Sequence, residues 1–318
     1  MKLVFSKNEM NKLGANIIKA PIALFVYNRP LHTRNTVEAL LQNAEAKESD
    51  LIIYSDAAKT NLADLQVNET RAYIRSVSGF KSVLIIEHSE NLGLAKSIMD
   101  GVTTLCADYG RVIVLEDDLV VSPHFLNYMN NGLNQYNDAE KVMQIAGYMF
   151  PMNAESAIHD DAIFLPFISS WGWATWQRAW KHYDASARYF KKLSLDSKLK
   201  RQFDLDGNYK YFRMLEAQQR GKIESWAIRW YLSVFFENGL VLYPAKTLVS
   251  NNGFDGSGVN CAVSTIVEKA IDVNFEVRNF PNNIELSTEY YKVIKNMPIP
   301  KLSIASIIKR IKIRVMSK

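Results

Sequence analysis

The chain is poor in the features that would make its reading easy. Only two cysteines, Cys106 and Cys261, occur in 318 residues. They form neither a disulfide framework nor a metal-ligand spacing, so they read as small buried hydrophobes in a reducing compartment. No apolar run is long enough to span a bilayer. The opening Met-Lys-Leu-Val-Phe-Ser-Lys-Asn-Glu lacks a signal-peptide core, because charge returns too soon. There is no glycine-rich phosphate loop ending in Gly-Lys-Ser/Thr and no Gly-x-Ser-x-Gly elbow, which excludes two common catalytic plans. There is no internal repeat, low-complexity tract or Pro/Gly-rich linker, so one continuous body is expected. The five histidines show no ligand spacing.

Charge of one sign is also missing from the body. The formal net charge is +5, but residues 301–318 carry six basic residues and no acid. Without them, 32 basic residues face 33 acidic ones, so no basic nucleic-acid face is expected on the main body. In the tail, Ile304, Ile307, Ile308, Ile311 and Val315 fall on one face at helical spacing. A basic amphipathic helix of this kind suits an anionic membrane surface. A helix packed on the body with a solvated basic side is the alternative.

What remains is a chain of ordinary globular composition, with 48% hydrophobic and 22% charged residues. Its first half alternates strand-like and helix-like segments. Strands are expected at Ile22–Tyr27, Leu51–Tyr54, Val83–Ile86 and Val112–Leu115. Helices are expected over 31–43, through about Ser76, and over 94–105. Such βα units predict a mostly parallel sheet with helices on both faces. Each strand ends in polar residues: Asn28 and Arg29, Asp56, Glu87 and His88, then Glu116, Asp117 and Asp118. In an open parallel sheet these ends share one edge and form a cleft. The second half is less regular and rich in Trp, with helices expected over 175–183, 209–219 and 227–238. A Gly/Asn-rich segment follows, from Ser250 to Asn260.

Glu116-Asp117-Asp118 follows a strand that is apolar throughout. Adjacent carboxylates repel, and a divalent cation such as Mg²⁺ or Mn²⁺ removes the repulsion. Such a cation completes its shell with substrate phosphates. The competing reading is an acidic turn that caps a following helix.

Several segments together carry a resemblance. They are residues 20–30 through Tyr27-Asn28-Arg29-Pro30, Ser55-Asp56, residues 90–96, Glu116-Asp117-Asp118, residues 169–176, residues 224–230 and residues 251–258. In this order they resemble a bacterial glycosyltransferase of the GT-A fold. The likeness covers roughly residues 20–262 and extends distantly to the animal N-acetylglucosaminyltransferase that begins complex N-glycan building, which also carries Glu-Asp-Asp. The resemblance implies a Rossmann-like α/β sheet, a nucleotide-diphosphate-sugar donor (UDP by default), a divalent cation and a glycan or lipid-linked acceptor. It implies a donor lobe over 1–150, a Trp-rich acceptor lobe over 151–262 and an extension over 263–318. It also implies surface-polysaccharide assembly at the inner face of the cell membrane.

Residue by residue, the resemblance makes Asp118 the metal ligand and sets Glu116 and Asp117 toward ribose or sugar. Tyr27, Asn28 and Arg29 border the nucleotide, and Arg29 is available to phosphate. Asp56 is expected to accept from a uracil-type base, or else to cap a helix. Lys96 is available to phosphate or sugar. Glu224 is the expected general base of an inverting transfer. The animal enzyme's acid directly follows its Trp, where this chain has Ala227. Asp255 is the second candidate for the base, and with Asn260 an alternative metal ligand or lid residue. Trp171, Trp173 and Trp226 are expected to face acceptor sugar, against core packing as the ordinary alternative. A sugar nucleotidyltransferase would show a glycine-rich loop where this chain has Tyr-Asn-Arg-Pro. A nucleotide- or glycan-binding module without catalysis is the other reading.

Overall fold

In a computed structural model, residues 19–151, 161–255 and 270–297 are described. The basic tail over 301–318, Asn260 and Cys261 lie outside the described residues, as does the side chain of Asp255.

The expected βα alternation is present. Strand β1 (Ile22–Val26) is buried along its whole length, which places it inside the sheet. Helix α1 (Pro30–Leu41) starts with its proline in the first turn, where the missing N–H has no cost. Then come β2 (Asp50–Ser55), α2 (Asp64–Ile74), β3 (Ser82–Glu87), α3 (Leu94–Tyr109) and β4 (Arg111–Glu116). The four strands run parallel in the order β3-β2-β1-β4. Val26 lies beside Ser55 and Phe25 beside Glu116, so the carboxyl ends are level. Helix α3 lies close on this sheet. A Cβ at Gly101 would come within 2.9 Å of the Phe25 and Tyr54 rings, which stack on each other at 4.9 Å.

After β4 the acidic-turn-to-helix expectation fails. Leu119–Val121 forms a short strand, β5, not the approach to a helix. It pairs antiparallel with a later strand, and the β-branched Val-Val pair suits that ribbon. Helix α4 (Phe125–Gln135) begins only beyond Pro123.

The second half extends the same sheet. It contributes β6 (Val142–Ala146), β7 (Ala162–Leu165), β8 (Trp173–Trp176), α5 (Gln177–Trp180), α6 (Phe190–Leu195) and α7 (Ser197–Phe203). The chain continues through α8 (Tyr211–Gln219), α9 (Trp226–Phe236), β9 (Leu240–Pro244), β10 (Val249–Asn251) and α10 (Thr288–Lys295). The eight-stranded order is β3-β2-β1-β4-β8-β6-β9-β7, with β10 paired to β5 in a separate ribbon. Only β8 and β7 run against the other strands of the large sheet. The sheet is thus mixed but mostly parallel, and continuous from one half to the other.

The helix expected over 175–183 is divided. Thr175 and Trp176 belong to β8, which is inserted between β4 and β6 with all four residues buried. Aromatic and β-branched residues suit such a strand, and the pairing outweighs local helix pattern.

The tryptophans form a core around β8 and α9. Trp173 stacks on Trp226 with centroids 4.9 Å apart and planes 18° apart. Trp180 packs against Trp173 and Trp230. The indole N–H groups find partners inside: Trp230 donates to Gln144 Oε1 at 2.7 Å, and Trp176 to the Leu133 carbonyl at 3.0 Å. Trp173 and Trp226 are only 1% and 4% exposed. Their expected place in an acceptor groove is therefore corrected. They seal the junction of sheet and helix, as buried aromatics with satisfied neighbours usually do.

Candidate functional site

The level strand ends build a cleft of about 280 Å³. Its floor comes from the ends of β1, β2 and β4. One wall is the segment leading into α3, and Glu224 borders the cleft from the chain preceding α9.

The acids at the end of β4 are not free. Asp117 and Asp118 are 4% and 5% exposed. Two charges so buried would repel strongly in a medium that screens poorly. Arg29, just past β1, bridges them: its Nη2 donates to Asp117 Oδ1 and, at 3.0 Å, to Asp118 Oδ2. Burial opposes the charge on Arg29, but the two aspartates overcome it and hold its pKa above the ordinary value. Asp117 is fixed further by the Tyr27 amide, at 3.4 Å, and its carbonyl accepts from Thr36 Oγ1 at 2.8 Å. Glu116 is half-buried. Desolvation, then Asp118 and Asp117, raise its pKa, with Arg29 opposing.

Asp118 is held from the opposite side by the ribbon of β5 and β10. Its carbonyl accepts from the Asn252 amide at 2.9 Å. Gly253 then passes so close to Asp118 Oδ2 that no Cβ would fit there. Asn251 Oδ1 accepts from the Gly253 amide at 2.7 Å and sets that approach. The other oxygen, Asp118 Oδ1, is buried and has no hydrogen-bond partner among the described residues. A buried carboxylate oxygen without a partner fits a cation. No group of three potential ligands gathers around it among the described residues. A divalent ion there would take one protein oxygen and would need its remaining ligands from a bound diphosphate or water.

Asp56 does a different job from the one expected. Its Oδ1 accepts from the Ala57 and Leu92 amides at 3.0 and 2.9 Å, and its Oδ2 from Asn91 Nδ2 and the Gly93 amide at 3.0 and 2.9 Å. A carboxylate has about four lone-pair sites, and the chain itself uses all of them. Nothing remains for a base. Asp56 instead pins the segment entering α3, and Asn91 was the missed half of that clamp.

Lys96 is also corrected. It is exposed and pairs with Asp100 one helical turn on, at 2.6 Å. The residues of α3 that border the cleft are Leu94, Ala95 and Ser97. Ser97 is 5% exposed, and its hydroxyl has no partner among the described residues. Helical phase separates neighbours by about 100°, so a one-position error exchanges solvent for cleft.

Tyr27 and Asn28 border the cleft, and the Tyr27 hydroxyl accepts from the Lys59 amide at 2.9 Å. Glu224 is exposed, and its Oε2 lies 3.6 Å from the point where a Cβ would stand on Gly93. It directly precedes Ser225, the N-cap of α9. Asp255 ends a one-turn 3₁₀ segment that begins at Gly253. Trp171 lies in the loop before β8 and is half-buried. It meets Tyr148 at 4.4 Å and Phe254 at 5.5 Å, both edge to face. Of the three expected aromatic contacts, only Trp171 keeps an accessible surface.

No protein-family model matches the sequence, and no curated protein matches it. Among solved structures the fold is similar to TarS of S. aureus, with a TM-score of 0.36 and 11% identity; the match covers 72% of this chain and 36% of that one. It is similar also to mouse xyloside xylosyltransferase 1 in its apo form, with a TM-score of 0.35 and 12% identity, over 68% of this chain and 80% of that one. The chain thus spans about a third of the length of the first. Among the described residues no helix is long and apolar enough to cross a membrane.

Proposed function

We propose that the chain is a divalent-metal-dependent, inverting glycosyltransferase that moves a sugar from a nucleotide-diphosphate donor to a glycan or lipid-linked acceptor. The observation that carries this reading is the convergence in one cleft of Arg29, Asp118 with its unpartnered oxygen, and Glu224 from another part of the chain. A phosphate-binding guanidinium, a cation ligand and a proton acceptor are the parts that sugar transfer from a diphosphate needs.

In this reading Tyr27, Asn28 and Ser97 border the nucleotide, and Asp56 keeps the Asn91–Gly93 wall in place. Arg29 pairs with the diphosphate. Asp118 Oδ1 holds Mn²⁺ or Mg²⁺, which when bound serves as a Lewis acid for the departing diphosphate. Glu116 and Asp117 shape the acid end of the cleft toward ribose or sugar. Glu224 takes the acceptor's proton as the acceptor oxygen attacks from the face opposite the leaving group, which inverts the anomeric centre. Asp255 is the second candidate for that base. Trp171 supplies an aromatic edge against the acceptor sugar. UDP is the default nucleotide. By sequence, the basic tail suits the inner face of a membrane, where a lipid-linked acceptor of surface-polysaccharide assembly would be met.

Calorimetric titration tests this reading. UDP, GDP and CMP are each added with and without Mn²⁺, to the chain and to Asp118→Ala. Metal-dependent binding of one nucleotide, lost in the variant and followed by turnover of the matching sugar donor, supports a transferase. Binding without turnover of any donor leaves the binding-module reading. No binding at all overturns the donor site.

A further inference from the structure

Arg29, Asp117 and Asp118 together make the cation site conditional. We infer that Arg29 is an internal counter-cation that competes with a divalent ion for Asp118, so that the ion binds firmly only when an anion draws the guanidinium away. The competition stands on the geometry of the acids alone. The identity of the anion, a nucleoside diphosphate, rests on the proposed function.

Asp117 and Asp118 lie side by side and nearly buried, and one guanidinium satisfies both. Arg29 is itself part-buried, with its side chain 16% exposed, and stays charged throughout the accessible pH range. The acids therefore already have a positive partner. That partner uses Asp118 Oδ2, whose flank is closed by Gly253. Oδ1 is buried and without a hydrogen-bond partner among the described residues, and a cation that reached it would meet the fixed positive charge of Arg29 a few ångströms away. Like charges so close and so poorly screened repel strongly. A divalent ion alone thus gains one protein ligand and suffers the repulsion of Arg29.

A diphosphate changes both conditions at once. It offers the planar guanidinium of Arg29 a bidentate partner at least as good as a carboxylate. It also supplies the oxygens that the ion lacks. Anion and cation then help one another to bind, and by linkage the coupling is reciprocal.

The probe is Mn²⁺ alone, followed by the spin-resonance signal of the free ion and by the melting temperature. The proteins are the wild-type chain, Arg29→Gln, Arg29→Lys and Asp118→Asn. Arg29→Gln is expected to bind Mn²⁺ about tenfold tighter than wild type, an ordinary size for such a coupling. Mn²⁺ should also raise its melting temperature more. Arg29→Lys keeps the charge and should bind as weakly as wild type, while Asp118→Asn should lose this binding in either background. UDP should tighten Mn²⁺ binding about tenfold in wild type and much less in Arg29→Gln. If Arg29→Gln binds Mn²⁺ no tighter than wild type, or Arg29→Lys tightens as much as Arg29→Gln, competition by charge is overturned. If UDP tightens binding equally in both backgrounds, the donor site stands and the counter-cation role falls. If no nucleotide affects wild type while Arg29→Gln alone still binds tighter, the competition stands and the donor reading falls.

Discussion

The two ends of the large sheet collect opposite things. From β3 to β4, apolar strands end in polar residues, and the ends gather Arg29, Asp56, Asp117 and Asp118 into an open cleft. Around β8, β6 and β9 the distinctive residues are the tryptophans, and they lie within strands and helices, not beyond them. Trp173 and Trp226 consequently stack on each other, Trp230 meets Trp180, and these rings leave almost no surface. Position relative to an element's end, more than residue type, separates chemistry from packing here. Trp171 agrees with this rule, since it sits in the loop before β8 and stays half-buried.

The largest effects should separate the two regions cleanly. Asp118→Ala is expected to lower sugar transfer by about a thousandfold or more, since it removes an interaction that matters as charge develops on the leaving group. Its stability should change little, because Arg29 keeps Asp117 as a partner. Trp173→Ala should do the reverse, losing about 3–5 kcal/mol of stability as a fully buried indole is replaced by a cavity. Its turnover per folded molecule, measured well below the melting transition, should remain near wild type. A folded Trp173→Ala with no activity would break the comparison and return that indole to the functional site.

These contrasts also mark how far the sequence could be read. The parallel sheet and the acid cluster were legible because Ile22–Val26, Leu51–Tyr54 and Val112–Leu115 are apolar, buried runs, and parallel strands put their exits on one edge. The ribbon that closes over Asp118 was not legible. Leu119–Val121 and Val249–Asn251 are three-residue strands about 130 positions apart, and only their pairing brings Gly253 to the carboxylate. Thr175 and Trp176 misled in the same way, because their strand conformation is imposed by pairing with β4. The partnership of Arg29 with both aspartates joins residues nearly 90 positions apart and carries no local signal.

Asp56 sharpens the comparison at an intermediate size, because it belongs to the cleft yet acts as packing residues do. Asp56→Asn replaces one acceptor oxygen by a donor, so two of the four N–H groups now held lose their partner. Each unsatisfied group costs about 1–3 kcal/mol. Amide exchange at Leu92 or at Gly93, whichever loses its acceptor, should accelerate, and nucleotide affinity should fall roughly tenfold or more with it. If affinity falls while exchange at those amides stays unchanged, Asp56 contacts the ligand directly and its clamp role is wrong.

The smallest effects lie on one turn of α3. Ser97 and Lys96 are adjacent in sequence, but the first borders the cleft with an unpartnered hydroxyl and the second pairs with Asp100 in solvent. Ser97→Ala removes one potential hydrogen bond to the donor, worth about 1 kcal/mol, and should raise the donor KM several-fold at unchanged stability. Lys96→Ala breaks an exposed ion pair and should shift stability by less than about 0.5 kcal/mol. It should leave the donor KM where it is. The lysine has the charge that phosphate chemistry favours and the serine has none, so the ordering of these two KM values tests the geometry against the residue type. A larger change at Lys96 than at Ser97 would mean that α3 meets the donor with the face now turned to solvent.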